Sequence, residues 1–170
     1  AVNPHRTATS ALDEVQTALS LRALFQRGDE NRLTVAMRLA NLRIHERARS
    51  DERLAGMGTT LVAVYLSDSS SIVAHVGDSR LYQIRGPAIE QVTEDHSLVW
   101  EQYRQGLIAK DTLSSSPYKN IVTRALGLQP TVDIEIKELT PQPGDSLILC
   151  SDGLSDMVPD EEIKRIVHGI

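Results

Sequence analysis

Cysteine is all but missing from these 170 residues: Cys150 stands alone, so an internal disulfide is excluded and no cysteine pair is available to hold zinc. No stretch approaches the roughly 20 apolar residues of a membrane-spanning helix, and the opening Ala1-Val2-Asn3-Pro4-His5-Arg6 has no apolar signal core. Basic charge is short as well. Lysine and arginine number 18 against 23 aspartates and glutamates, a net charge of −5, which withholds the attraction to phosphate backbones on which nucleic-acid binders depend. Internal repeats and low-complexity tracts are lacking too. What is present, 41% hydrophobic and 24% charged residues, is ordinary for a globular chain and long enough to bury a real core. The expectation is one domain over residues 1–170, a monomer in a reducing cytoplasm, with no nucleic-acid or membrane partner.

Nine of the 14 arginines lie between Arg6 and Arg53, a stretch without lysine in which seven acidic residues are interleaved. That mixture reads either as helix-face ion pairs or as a basic surface. Two helices are expected there. Thr9 or Ser10 can cap the first ahead of Leu12, Val15 and Leu19, with Gly28 as its stop, and Asn31 can cap the second. In the second, Leu33, Met37, Ala40, Ile44 and Ala48 recur at helical steps as one apolar stripe suited to burial against a sheet. Past the Gly56-Met57-Gly58-Thr59 hinge the pattern turns strand-like: 60–66 and 71–76 around Asp68-Ser69-Ser70, then 80–85 and 88–93 around Gly86-Pro87, read together as an antiparallel meander. The first two runs show little alternation, as for strands covered on both faces, whereas 131–138 alternates with Val132, Ile134 and Ile136 inward. Between them lies a polar insertion, 95–127, with a short helix near Leu98 to Gln105; its Ser114-Ser115-Ser116-Pro117 stretch is expected to be mobile, as in a flap over a site. Pro141 to Asp145 then turns into an apolar strand, 146–150, which ends in Ser151-Asp152-Gly153 before a helix over 159–168.

Two carboxylates stand out, each following an apolar strand and adjoining glycine: Asp78 in Val76-Gly77-Asp78-Ser79-Arg80 and Asp152 in Cys150-Ser151-Asp152-Gly153. Oxygen ligands at strand ends, with no Cys or His cluster beside them, suit Mg²⁺ or Mn²⁺. A water made acidic by such an ion can attack a phosphoryl group without a protein nucleophile. Either dipeptide is also ordinary turn chemistry, the carboxylate capping backbone N–H groups. Spacing alone does not separate these readings.

The ordered set Gly58-Thr59-Thr60, His75-Val76-Gly77-Asp78-Ser79-Arg80-Leu81-Tyr82, Thr93-Glu94-Asp95-His96-Ser97, Thr123-Arg124-Ala125-Leu126-Gly127 and Ser151-Asp152-Gly153-Leu154, with Gly144-Asp145 before the last strand, resembles the bacterial type 2C (PPM) metal-dependent Ser/Thr protein phosphatases. The resemblance implies an α+β fold, a four-layer α-β-β-α sandwich of antiparallel sheets. It implies a centre of two or three Mn²⁺ or Mg²⁺ ions, with a metal-activated water cleaving phosphoserine and phosphothreonine in proteins. By motif, Asp152 is similar to the aspartate that ligates a core metal, and Asp78 to a ligand of the additional metal of bacterial members. Residues 97–120 become a flap subdomain that offers a backbone ligand near Ser114, Ser115 or Ser116. The implied partners are phosphorylated proteins and a Ser/Thr protein kinase.

The chain departs from the family pattern in lacking its Asp-Gly-Met-Gly-Gly segment, the upstream phosphate-binding arginine and the Gly-x-x-Asp-Asn motif. The expectation is therefore a sandwich incomplete at both ends, a portion of a longer phosphatase that binds metal weakly by itself. The alternative is a non-catalytic phosphatase-like module that binds phosphoproteins or a kinase. Arg80 and Arg124 either grip phosphate or tie loops to a carboxylate such as Asp78 or Asp95. His75 and His96 are expected to pack or hydrogen-bond, and Cys150 to lie in the core. Asp156 either orients a metal-bound water or favours a helix N-terminus.

Overall fold

The computed structural model describes residues 29–67, 71–113 and 115–169. The first expected helix (9–28), the Asp68-Ser69-Ser70 turn and Ser114 lie outside the described residues. In chain order the elements are α1 (Asp29–Ser50), β1 (Leu61–Leu66), β2 (Ser71–Val76), β3 (Arg80–Arg85), β4 (Ala88–Gln91), α2 (Leu98–Arg104), β5 (Glu135–Glu138), β6 (Ser146–Cys150), α3 (Asp152–Ser155) and α4 (Asp160–Val167), with short 3-10 turns at Glu52–Leu54 and Lys110–Thr112. They form an α+β arrangement with two antiparallel three-stranded sheets, β1-β2-β5 and β4-β3-β6, each within its own compact unit.

The first unit comprises 29–76 without the turn, and 124–138. Asn31, the expected cap, lies inside α1 rather than ahead of it, since the helix begins at Asp29. The stripe behaves as its spacing dictates: Met37, Ala40 and Ile44 are buried, with Leu33 and Ala48 packed beside them, against Met57, Leu126 and the β2 residues Ala74 and Val76. Burying a side chain such as that of Ile44 contributes about 2 kcal/mol. β2, the middle strand, is buried from Ile72 to Val76. β1 is only half-buried and ends on exposed Leu66, so cover on both faces holds for β2 and not for the outer strand. Val132, Ile134 and Ile136 do face the core, but β5 begins at Glu135 rather than at 131. The carbonyls of Gln129 and Pro130 are taken by the Asn41 amide, and that of Asp133 accepts from Arg124 Nη1 (3.4 Å), which engages this backbone with side chains before the ladder starts.

Gly127, in the turn after Leu126, lies close against α1. Its N–H donates to Asn41 Oδ1 (2.8 Å) and its carbonyl accepts from His45 Nδ1 (3.0 Å). Its φ of +90° is one that L residues rarely adopt, and a Cβ there would collide with Ile44 and come within 2.9 Å of the Met57 carbonyl. Gly127→Ala is expected to destabilise the chain by about 3 kcal/mol, the sum of left-handed strain and overpacking. Guanidinium denaturation checks this; a loss of less than about 1 kcal/mol, the cost of strain alone, means that the core gives way at Ile44.

The second unit comprises 77–123 and 139–169, apart from Ser114. The reading of a single meander is corrected here. β3 pairs with β4 and β6, not with β2, because Gly77 turns the chain out of β2 with φ +105° and Asp78 and Ser79 stand between the strands. β4 ends at Gln91, two residues early, since the Thr93 hydroxyl accepts the Leu81 N–H (3.0 Å) in place of a ladder carbonyl. Ser97 caps α2 by accepting from the Trp100 N–H. Asp145 anchors the turn into β6: its almost buried carboxylate takes Arg85 Nε and Nη2, the Gln142 N–H and Gln83 Nε2, which together hold it well below the usual carboxylate range. α4 buries Ile163 and ties to the β3–β4 turn through Lys164 Nζ to the Pro87 carbonyl and His168 Nε2 to the Gly86 carbonyl.

Candidate functional site

β3 begins and β6 ends on one rung of the second sheet, Arg80 opposite Cys150. Asp78 lies just ahead of that rung and Asp152 just beyond it, so the antiparallel pairing delivers both carboxylates to one end of the sheet. Asp152 opens α3 and is exposed, whereas Asp78 is half-buried in the β2–β3 link. Burial pushes the Asp78 carboxyl above its ordinary value of 3.8; its own backbone N–H and Arg80 oppose this, and the charges of Asp152 and Asp95 push it further up. Carboxylates that repel one another across a partly desolvated gap are what a divalent cation relieves, and an all-oxygen donor set fits a hard ion such as Mg²⁺ or Mn²⁺.

This strain on Asp78 has a measurable sign. A carboxyl whose pKa is raised on folding costs stability when ionised, a cost that sets in as pH climbs past 3.8 and is complete above the folded-state value. Metal-free Asp78→Asn is therefore expected to melt at a higher temperature than the wild type at pH 7, with the advantage disappearing below pH 3.8. Added Mn²⁺ is expected to raise the melting temperature of the wild type and to raise that of the variant less. Equal melting at pH 7 without metal removes the electrostatic account.

Arg80 does not reach for phosphate. Its guanidinium is bidentate on Asp95 (Nε to Oδ1 2.9 Å, Nη2 to Oδ2 2.7 Å), and Nη1 donates to the Tyr82 hydroxyl (2.9 Å). Burial disfavours the charge on Arg80, and Asp95 with Tyr82 outweighs it, leaving the pKa raised. Burial in turn pushes Tyr82 up to about 12, against the pull of Arg80 and with the help of Asp160. The loop-tying reading thus holds for Arg80, with Asp95 as its carboxylate. His96 is buried and hydrogen-bonded to Gly77, and His75 is buried in β2. Cys150 is half-buried, and burial pushes its thiol up, away from nucleophilic character.

Asp156 sits at the C-terminal end of α3, its N–H on the Asp152 carbonyl (2.8 Å), so it does not serve a helix N-terminus. Its carboxylate takes Lys119 Nζ (3.1 Å), which joins the 97–120 segment to α3. Ser115 and Ser116 lie in the turn that precedes Lys119; Ser115 Oγ donates to the Thr112 carbonyl and Ser116 Oγ accepts from the Tyr118 N–H. Lys119 carried no signal in the sequence, since a lone lysine among turn residues has no period to mark it. Glu94 belongs to the same segment's support, accepting from Trp100 Nε1 (3.1 Å).

The protein phosphatase 2C family profile matches residues 5–168. Over 120 residues the chain is 46% identical to the serine/threonine phosphatase stp of Listeria monocytogenes, covering 71% of this chain and 48% of that protein. The chain thus spans about half the length of the curated relatives it matches. Among solved structures, the Streptococcus agalactiae serine/threonine phosphatase superposes with a TM-score of 0.86 at 32% identity over 96% of this chain and 69% of its own. The catalytic domain of the serine/threonine protein phosphatase PstP, solved in complex with two manganese ions, does so with a TM-score of 0.76 at 30% identity over 94% of this chain and 67% of its own.

Proposed function

The chain belongs to the protein phosphatase 2C family, and from that premise we propose that it serves a metal-dependent protein serine/threonine phosphatase acting on phosphoserine and phosphothreonine. The observation that carries this is the delivery of Asp78 and Asp152 to one end of a sheet, close enough that the charge of one raises the pKa of the other. Asp152 would hold a core divalent ion and Asp78 an additional one, with Mn²⁺ favoured over Mg²⁺ by the manganese complex of the related PstP domain. When bound, such an ion supplies Lewis acidity to water and to the phosphoryl oxygens. The rest is done by the chain itself. Arg80 and Asp95 brace the loop that bears Asp78, while Lys119 and Asp156 tether residues 97–120 beside α3 as a flap that carries Ser115 and Ser116. The setting is a cytoplasmic monomer opposed by a Ser/Thr kinase; no helix among the described residues is long and apolar enough to cross a membrane. Hydrolysis of a phosphothreonine peptide with and without Mn²⁺ tests the proposal. Phosphopeptide binding without metal-dependent turnover, in this chain and in a longer polypeptide that contains it, would replace it with a non-catalytic binding module.

A further inference from the structure

We propose that His96 is a positioning residue that holds the Gly77 peptide from both sides and so sets the direction in which Asp78 leaves the sheet. The inference rests on the metal-binding reading of Asp78 given above. The Gly77 N–H donates to His96 Nδ1 (3.0 Å), and the His96 N–H donates to the Gly77 carbonyl (3.0 Å). Both polar groups of the residue before Asp78 are thus engaged by one residue nineteen positions on. His96 is itself fixed: it is 6% exposed, its carbonyl accepts from the Thr123 N–H (2.8 Å), and the next residue, Ser97, bridges to Val122.

Asp95 secures the other side of Asp78. Through its two-pronged contact with Arg80 it holds the first residue of β3, so the consecutive residues Asp95 and His96 grip the chain just after and just before the candidate ligand. Gly77 needs such a hold, since its φ of +105° belongs to a region where glycine has many neighbouring conformations to escape into. Accepting an N–H at Nδ1 also determines the ring: that nitrogen carries no proton. A ligand whose backbone is already placed loses less freedom when a cation arrives, which is how groups behind a ligand come to govern affinity.

The test uses the whole chain and reads Mn²⁺ binding by calorimetry, not turnover. His96→Asn keeps an acceptor close to the position of Nδ1, and His96→Gln moves its polar atoms away towards the Nε2 side. The expected result is about tenfold weaker Mn²⁺ binding for His96→Gln, the usual scale for groups supporting a ligand, with His96→Asn restoring most of it. Wild-type affinity in a folded His96→Gln variant overturns the proposal, and so does an equal loss in both variants, which marks a packing role. If neither variant folds, hydrogen exchange in the wild type decides: the Gly77 amide is expected to exchange slowly without metal and no more slowly with Mn²⁺. An amide that becomes protected only on adding Mn²⁺ sinks the idea of a pre-set loop. Asp78→Asn is the reference. Should it bind Mn²⁺ as the wild type does, the metal-binding reading fails, while the Gly77 amide still reports on the clamp.

Discussion

Asp152→Asn is expected to abolish Mn²⁺-dependent hydrolysis of a phosphothreonine peptide, a fall on the order of a thousandfold, because the Lewis acidity of a bound ion accounts for several kcal/mol of barrier and each 1.36 kcal/mol is a factor of ten. The substitution isolates charge from fold. Asp152 is exposed at the start of α3, and the hydrogen bond that closes that helix uses its backbone carbonyl, which asparagine retains. Metal-free Asp152→Asn is therefore expected to unfold at the wild-type temperature or slightly above it, since a charge that raises the Asp78 pKa has been taken away. Asp156→Asn forms the contrast: it removes only the negative charge facing Lys119, from an exposed ion pair of the kind that contributes about 0–1 kcal/mol. Its effect belongs in KM for a protein substrate rather than in metal affinity. A folded Asp152→Asn variant with the wild-type Mn²⁺-dependent rate would remove Asp152 from the site.

How much of this was legible beforehand depended on the range of the interaction. The α1 stripe from Leu33 to Ala48 was readable because helical periodicity is local, and the same residues pack in the core. The hairpins β1–β2 and β3–β4 were readable for the same reason, two runs about a short turn. The step from β2 to β3 was not, because sequence adjacency does not say which sheet a strand joins; β2 found its other neighbour in β5, and β3 found its own in β6. Asp78 and Asp152 were visible as carboxylates beside glycine at strand ends, and the ordered motifs stood in for the long-range pairing of Arg80 with Cys150 that brings them together. The support behind them was only half visible. Arg80 could be assigned to a carboxylate but not to Asp95 in particular, and His96 could be expected to hydrogen-bond but not to Gly77.

Asn41 shows what a stricter reading of the stripe would have recovered. It falls on the same helical face as Met37 and Ile44, a polar residue among apolar ones, and it is buried to 1% exposure. Its amide is nearly exhausted: Nδ2 donates to the carbonyls of Gln129 (3.0 Å) and Pro130 (3.2 Å), and Oδ1 accepts the Gly127 N–H (2.8 Å). One side chain of α1 thereby satisfies the backbone of the loop that leads into β5. Asn41→Leu keeps the volume but strands the buried Gly127 N–H, while the carbonyls of the exposed Gln129 and Pro130 can turn to water, so the expected loss is about 2 kcal/mol, within the roughly 1–3 kcal/mol for one buried group left without a partner. For a chain of this size that lowers the melting temperature by roughly 4–8 °C. Asn41→Asp separates hydrogen bonding from packing. It still accepts from the Gly127 N–H, but turns a carboxylate oxygen towards two carbonyls, which favours the protonated acid in the folded state. A carboxyl with a raised folded-state pKa destabilises more as pH rises through that value, so Asn41→Asp is expected to approach the wild type at acidic pH and to fall away from it towards neutrality. If Asn41→Leu instead melts within about 2 °C of the wild type, less than about 1 kcal/mol was at stake, and the Gly127 N–H finds another partner when the amide is gone.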